Sequence, residues 1–141
     1  SDPITKEEIL KTRQHLGKVF EPLFKSMRTH QPEILVGSSG SFESFAEIIA
    51  ARNRQTQLLD AVQSTEIPFS EFNDIYDQIV NSSRRERLLI PGLLEMRVDM
   101  IVLASIMIQL ILEKANFKSI LMSKYALKEG LLWSHYNKQT T

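Results

Sequence analysis

The sequence contains no cysteine, which excludes disulfide frameworks, thiolate nucleophiles and zinc sites built on cysteine. A chain without cysteine fits a reducing compartment, so we expect a cytoplasmic location. The sequence also lacks an excess of charge, because 17 Lys and Arg residues balance 17 Asp and Glu residues. No broad electrostatic field would therefore draw it to nucleic acid or to an anionic membrane surface, and we expect neither partner.

Long apolar runs are missing as well. The longest uncharged apolar stretch covers residues 100–112, contains Ser105 and Gln109, and is well short of the ~20 residues that cross a bilayer. With 43% hydrophobic and 24% charged residues, the composition is that of one ordinary domain with enough apolar material for a core. The chain starts Ser1-Asp2-Pro3 without a methionine or a leader pattern, so we expect further sequence upstream.

Apolar residues at three- and four-residue spacing predict amphipathic helices along most of the chain. The predicted helices cover residues 7–27, 42–51, a segment after the proline at 68, residues 94–114 as the longest, and 125–136. Thr5 and Glu8 have the spacing of a capping box at the first of these. Pro22 predicts a break near Phe20, because proline has no N–H and clashes with the preceding turn.

Two strand candidates are evident, residues 33–36 and 117–123, and helices separate them. Pairing between them would be parallel and very small. Residues 52–66 are predicted to continue as polar chain and become a loop near Ser64, and residues 82–87 to form a charged connector. The prediction is a helix-dominated α/β fold, one domain over residues 1–141. Its very small parallel sheet is typical of a piece of a larger sheet.

Three segments of the chain, in their order along the sequence, resemble the motifs of a known protein family. They are residues 36–42 (VGSSGSF), residues 90–92 (IPG) followed by 97–99 (RVD), and residues 127–132 (LKEGLL). Together they resemble the exopolyphosphatase and guanosine pentaphosphate phosphohydrolase family. That family typically shows Gly-(Thr/Ser)-Ser-Gly-Thr, then Pro-Gly with a downstream Arg-Ala-Asp, then Leu-Arg-Glu-Gly. The order and spacing match from about residue 5 to residue 136.

The resemblance implies an actin-like ATPase plan, in which two ribonuclease H-like lobes face a cleft that holds phosphates and a divalent metal. The chain resembles the C-terminal part of the second lobe. The glycine loops and the catalytic carboxylate of the family lie upstream of the matching segments, and the chain contains no Asp-x-Gly. The resemblance therefore implies no catalytic residue here, inactivity of this chain alone, and magnesium in the parent protein but not bound by this chain alone.

The glycine-bounded turn is the first candidate site. Free backbone N–H groups and hydroxyls at a helix N-terminus favour an anion such as phosphate. The structural alternative is that glycine relieves a tight turn between strand and helix while Ser41 caps that helix. Both interpretations stay open. The predicted phosphate-binding residues of the turn are Gly37, Ser38, Ser39, Gly40 and Ser41.

Arg97 and Lys128 are weaker phosphate-binding candidates, carried by the second and third segments. Arg97 and Asp99 sit two apart at the start of the predicted long helix, so they point to different faces and a structural role is the alternative for both. Lys128 stands where the family usually has arginine. The exchange keeps the charge but loses the planar bidentate fork.

Other residues are assigned no chemistry. The three histidines are scattered without a nearby ligand pattern, so no metal site is predicted. Arg84, Arg85 and Arg87 are interrupted by Glu86, which favours a solvated connector over a polyanion site. The methionines at 96, 100 and 107 fall on helical spacing and are predicted to lie in the core.

Two functional hypotheses follow from the resemblance. In the first, the parent protein hydrolyses phosphoanhydride bonds in inorganic polyphosphate or guanosine pentaphosphate, and the chain forms one wall of a cleft shared with the first lobe. In the second, the chain is a non-catalytic, degenerate relative whose helices serve regulation or subunit association. The family permits homodimers, and the sequence does not choose between the two substrates.

Overall fold

The first two helices follow the capping and proline signals of the sequence. In the computed structural model, which describes residues 1–138 and the side chains of residues 1–136, the Thr5 hydroxyl accepts a hydrogen bond from the Glu8 amide at 3.2 Å. The Glu8 carboxylate in turn accepts from the Thr5 amide at 2.8 Å. The helix ends at Val19, and a second helix begins at Glu21 with Pro22 in its first turn. The predicted capping box and the break near Phe20 are both confirmed.

The elements alternate in a helix-dominated α/β order, as predicted. The helices are α1 (Lys6–Val19), α2 (Glu21–His30), α3 (Gly40–Arg52), α4 (Thr56–Ala61), α5 (Phe69–Asn81), α6 (Arg84–Arg87), α7 (Met100–Leu112) and α8 (Leu127–Lys138). A 3₁₀ turn covers Glu95–Arg97, and the strands are β1 (Ile34–Ser38), β2 (Ser64–Glu66) and β3 (Ser119–Ser123).

The sheet has the order β1-β3-β2. β1 pairs parallel with β3, from Ile34 opposite Ser119 to Ser38 opposite Ser123. This is the predicted parallel pair. The structure adds a third strand that was not predicted, β2, which pairs antiparallel with β3 on its other side and makes the sheet mixed. β2 was predicted as loop, because its Ser-Thr-Glu sequence has no apolar alternation. Its strand conformation comes from pairing with β3.

The hydrophobic core lies on one face of this sheet. Ile120 and Met122 of β3 are buried there against helices α3, α5 and α7. The rings of Phe45 on α3 and Phe72 on α5 lie 4.8 Å apart between their centroids. On the opposite face of β1, Ile34 and Val36 remain 51% and 59% exposed. The described part of the chain therefore covers only one face of the sheet with helices.

The predicted long helix over residues 94–114 is wrong at its beginning. The 3₁₀ turn and the Val98–Asp99 link precede α7, so α7 has 13 residues and α1, with 14, is longer. Met96 and Met100 are 76% and 66% exposed, and their predicted core role is wrong, whereas Val98 is fully buried. The apolar spacing that suggested one continuous helix was produced partly by these exposed methionines.

The last helix presents apolar side chains to the outside. On helix α8, Leu127, Leu131 and Leu132 are 78%, 62% and 71% exposed. Trp133, on the same helix, is 71% exposed. These apolar side chains are therefore not packed against the described part of the chain. No helix among residues 1–138 combines the length and apolar character needed to span a bilayer.

The predicted charged connector contains a buried arginine. Ser83 and Glu86 form a capping box that starts α6, and Arg87 at the end of α6 is only 4% exposed. The Arg87 guanidinium forms an ion pair with the Asp2 carboxylate at 3.0 Å. That carboxylate also accepts hydrogen bonds from the Arg84 amide at 2.7 and 2.8 Å. A solvated connector is the wrong description of Arg87.

We predict a pH-dependent loss of stability in Asp2→Asn. The hydrogen bond from the Arg84 amide, followed by the Arg87 guanidinium, lowers the pKa of Asp2 below its usual range. A pKa that is lower in the folded than in the unfolded chain stabilises the fold fully above the unfolded pKa of about 4, and this contribution is lost progressively as the pH falls from there through the lower folded pKa. The variant should therefore melt below the unmodified chain at pH 7. Circular dichroism melting between pH 7 and pH 3 should show the gap closing, whereas a constant gap would contradict the assignment.

Candidate functional site

The turn between β1 and α3 has an unusual backbone. Ser39 has φ 61° and ψ 171°, and Gly40 has φ 52°. The Ser39 conformation belongs almost exclusively to glycine and costs about 1–3 kcal/mol in another residue. Helix α3 begins at Gly40 with no side-chain hydrogen bond at its N-cap. The predicted cap by Ser41 is therefore wrong, because Ser41 already lies within the first turn of the helix.

Gly37 serves close packing inside this turn. A Cβ atom at residue 37 would lie 2.0 Å from the Phe42 ring, which no real contact permits. Gly37 is buried at the end of β1, and the ring of Phe42 occupies the space that a side chain would take. For Gly37 itself, the geometry matches the structural alternative, a glycine that lets strand and helix approach each other.

Arg97 lies against Gly40. A Cβ atom at residue 40 would be 3.2 Å from Nη1 of Arg97, so the guanidinium rests on the backbone of the turn. Arg97 ends the 3₁₀ turn, where its amide donates to the Leu94 carbonyl at 2.8 Å. Within residues 1–136, no ion pair or side-chain hydrogen bond involves the Arg97 guanidinium. The structure thus brings together two of the predicted site residues that are distant in sequence.

A partly buried carboxyl lies near this arginine. Burial raises the pKa of Glu47 above its usual range, the Glu43 charge raises it further, and the positive charge of Arg97 opposes both. Glu47 is on α3, one turn beyond Glu43. Because no direct ion pair forms between Glu47 and Arg97 in the described structure, the guanidinium keeps donors available for an incoming anion.

An open groove runs from this point along α7. It has a volume of about 710 Å³. Ser41 and Arg97 line it together with Lys11 and His15 of α1. The α7 side of the groove is apolar and is formed by Met100, Leu103, Ala104 and Met107. Positive or titratable groups and the start of α3 therefore line one concave surface.

Lys128 takes no part in this arrangement. Its side chain is 80% exposed and forms an ion pair with the neighbouring Glu129 at 3.3 Å. Glu129 also accepts a hydrogen bond from the Ala126 amide at 2.8 Å, which holds the start of α8. Since β1 and β3 are parallel, α8 follows the same edge of the sheet as the Ser39–Gly40 turn. Helix α8 and the Ser39–Gly40 turn lie at the same edge, but none of the described contacts of Lys128 is with the turn.

Sequence reasoning missed the groove residues on α1 and the role of Arg87. Lys11 and His15 are four residues apart, which places them on one helix face, and this spacing was an available signal. Asp99 forms an ion pair with Arg84 at 3.3 Å, which agrees with its structural alternative. Among the described residues, no group of three or more His, Asp and Glu converges in a way that could hold a metal ion.

Comparison with known proteins places the chain in context. A family model described as the Ppx/GppA phosphatase family matches residues 1–139. The crystal structure of an exopolyphosphatase from Cytophaga hutchinsonii is similar, with 33% identity and a TM-score of 0.91 over 98% of this chain. The Ppx/GppA family member of Aquifex aeolicus shares the fold at 19% identity, with a TM-score of 0.77 over 100% of this chain.

The chain matches only part of each of these proteins. It covers 44% of the Cytophaga hutchinsonii chain and 44% of the Aquifex aeolicus chain. No curated protein matches the sequence. The similarity over the described fold nevertheless includes both the β1–α3 turn and the segment that carries Arg97, because it extends over nearly the whole chain.

We predict that Ser39→Gly stabilises the protein by about 1 kcal/mol, because relief of the glycine-only backbone outweighs the entropy that glycine adds to the unfolded chain. The matched control is Ser38→Gly. Ser38 lies in the extended strand β1, where glycine should destabilise by about 0.5–1 kcal/mol. Urea denaturation of both variants measures the difference. Equal destabilisation by the two substitutions would contradict the strained conformation of Ser39.

Proposed function

The chain belongs to the Ppx/GppA phosphatase family, and on that premise we propose that its parent protein hydrolyses phosphoanhydride bonds in inorganic polyphosphate or guanosine pentaphosphate. The similar protein from Cytophaga hutchinsonii is an exopolyphosphatase. Polyphosphate is therefore the substrate that the comparisons favour for the parent protein. Guanosine pentaphosphate is a second candidate substrate, because the motifs resemble those of the exopolyphosphatase and guanosine pentaphosphate phosphohydrolase family. The cytoplasm remains the expected location.

We propose further that the chain is the C-terminal part of the second actin-like lobe of this longer phosphohydrolase. Its coverage of 44% of the similar chains supports this proposal. So does the sheet, in which β1 is an end strand with one edge unpaired among the described residues. Ile34 and Val36 are exposed beside that edge. A further strand of the parent would pair with β1, and an element packed on the open face of the sheet would bury both side chains.

The observation that carries the functional proposal is the contact between Arg97 and the start of α3. The guanidinium is adjacent to Gly40 and has no ion-pair partner among residues 1–136. The first amides of α3 lack a side-chain cap, so they can donate to the same anion. Arg97, Gly40 and Ser41 are thus the strongest phosphate-binding candidates. Gly37, Ser38 and Ser39 shape the turn, and Lys128 is the weakest candidate.

These groups fit the demands of phosphoanhydride hydrolysis. Negative charge on the phosphoryl oxygens must be held while water attacks phosphorus and the leaving phosphate departs, and oriented donors stabilise that charge. A guanidinium can contact two phosphate oxygens at once through its planar fork. We assign this chain the holding and orienting of the phosphate chain. The attacking water and its base are assigned to the part of the parent that the motif resemblance places upstream.

A divalent metal, magnesium, is expected in the parent protein from the family resemblance. When bound, such a metal supplies charge neutralisation to the phosphates. The described residues do not fit a metal site, since no three His, Asp or Glu side chains converge there. We therefore derive no step of the reaction through a metal on this chain.

A non-catalytic role in regulation or subunit association is the second candidate. The exposed apolar side chains of α8, such as Leu131 and Trp133, favour it, because an unpacked apolar helix is typical of an association surface. The ion pair that Lys128 forms with Glu129 also leaves one family motif without a free cation. In the first proposal, α8 contacts the first lobe or a second copy of the parent in a homodimer.

We predict that this chain alone releases no phosphate from polyphosphate or guanosine pentaphosphate, even with magnesium. A protein extended upstream through the first lobe should release it, because the cleft is shared between the lobes. A colorimetric phosphate assay of both proteins on both substrates measures this. Activity of the short chain would show that the catalytic groups lie within it, and inactivity of both proteins would favour the non-catalytic relative.

We predict that Arg97→Gln in the extended protein lowers kcat/KM for polyphosphate on the order of 10²-fold, because it removes a donor aimed at the phosphates. Lys128→Gln removes the same charge from an exposed lysine that is already paired with Glu129, and should change kcat/KM less than about threefold. Steady-state kinetics of the two variants separates a local contact from a general charge effect. Equal losses in both variants would contradict the special position of Arg97.

A further inference from the structure

We propose that Arg87 is a positioning residue for Arg97. From inside the core, it fixes the 3₁₀ turn that holds the Arg97 guanidinium against Gly40. The effect of Arg87 on phosphate binding rests on the proposed function, whereas the structural connection between Arg87 and Arg97 does not. Arg87 lies in the segment that the sequence predicted as a solvated connector, so the charge pattern alone gave no sign of such a role.

The hydrogen bonds of Arg87 define the link. Its side chain is 5% exposed, and its three nitrogens donate in three directions. Nε donates to the Val98 carbonyl at 2.8 Å, Nη1 donates to the Ser82 carbonyl, and Nη2 donates to the Asp2 carboxylate at 3.0 Å. Val98 directly follows Arg97 and is fully buried. The peptide between Val98 and Asp99, one residue beyond Arg97, is therefore held by a guanidinium that itself has little freedom to move.

Arg84, three residues before Arg87, holds the next residue along the chain, Asp99. Arg84 forms an ion pair with the Asp99 carboxylate at 3.3 Å, and Asp99 directly follows Val98. We call the side chains of Arg84 and Arg87, two of the three arginines of α6, the α6 clamp. The clamp holds the Val98 carbonyl from the buried side and the Asp99 carboxylate from the exposed side. Both contacts lie within two residues of Arg97.

The 3₁₀ turn has few other anchors. Its described backbone hydrogen bonds run from the Arg97 amide to Leu94 at 2.8 Å and from the Val98 amide to Glu95 at 3.2 Å. A 3₁₀ turn has weaker hydrogen-bond geometry than an α-helix. Met96, in its middle, is 76% exposed and contributes little packing. Without the clamp, the direction of the Arg97 side chain would depend on this short turn and on the packing of the buried Val98 side chain.

Arginine is the side chain that can make all three of these hydrogen bonds. A buried guanidinium is unfavourable unless its donors are satisfied, and here each nitrogen has an acceptor. Lysine carries the same charge on a single nitrogen, so it cannot reach acceptors on three sides at once. A charge-conserving replacement therefore tests the fork geometry rather than the charge.

The experiment uses the 141-residue chain and the variant Arg87→Lys, with Arg85→Gln as matched control. Arg85 is exposed on the same short helix, so its replacement changes the charge locally without touching the clamp. Amide hydrogen exchange at Val98 should become at least about tenfold faster in Arg87→Lys, because the turn opens more often. It should not change in Arg85→Gln. An unchanged Val98 rate in Arg87→Lys overturns the proposal.

Calorimetric titration with tripolyphosphate connects the clamp to the site. Arg87→Lys should bind at least about tenfold more weakly, since a displacement of about 1 Å costs that much or more. The double variant Arg87→Lys/Arg97→Gln should bind no more weakly than Arg97→Gln alone, because Arg87 acts through Arg97. Additive losses, or a lower melting temperature with unchanged affinity, would reduce Arg87 to a structural residue and overturn the proposal.

Two further outcomes keep the tests separate. If the unmodified chain does not bind tripolyphosphate, the proposed phosphate role of Arg97 fails, and the Val98 exchange rate still decides whether the clamp exists. If Arg87→Lys does not fold, Arg84→Gln replaces it, because Arg84 is 46% exposed and its removal breaks the Asp99 side of the clamp, together with the longer Arg84–Glu95 ion pair at 4.0 Å, while Arg87 stays unchanged. A faster Val98 rate in that variant supports the clamp, and an unchanged rate overturns it.

Discussion

The parallel pairing of β1 with β3 is the constraint on which the rest of the structure depends. Two parallel strands cannot be joined by a short turn, so everything between Ser38 and Ser119 must serve as the crossover. Helices α3, α5 and α7 fulfil this by packing on one face of the sheet. The crossover also returns the 3₁₀ turn to the start of α3, which is why Arg97 meets Gly40.

Local signals in the sequence were sufficient for much of this fold. The capping box at Thr5 and the break before Pro22 depend on neighbouring residues, and both are confirmed. The strand, glycine turn and helix around Gly37 were also predicted, because glycine and the apolar pattern act over short distances. β2 was not predictable, since its three residues owe their conformation to pairing with β3. The exposed methionines show the opposite error, in which a local pattern suggested burial that the tertiary structure does not provide.

The candidate site was only partly predictable for the same reason. The turn and Arg97 were identified from motif order, but their contact comes from the crossover and leaves no trace in local spacing. Arg87 was misinterpreted because a cluster of arginines interrupted by Glu86 is typical of a solvated segment. Its burial depends on acceptors at Ser82, Val98 and Asp2, two of which are distant in sequence. Lys128, which stands where the family usually has arginine, pairs with Glu129 and makes no described contact with the turn.

The open edge of β1 has a consequence for the behaviour of the isolated chain in solution. Its Ile-Leu-Val-Gly-Ser sequence contains no charge and no proline, the two features by which natural edge strands resist pairing with other molecules. A concentrated preparation would bring such edges together, and strand-to-strand association would compete with the monomeric state. The tendency of the isolated chain to associate therefore depends on the five residues Ile34–Ser38 as well as on the exposed apolar side chains of α8.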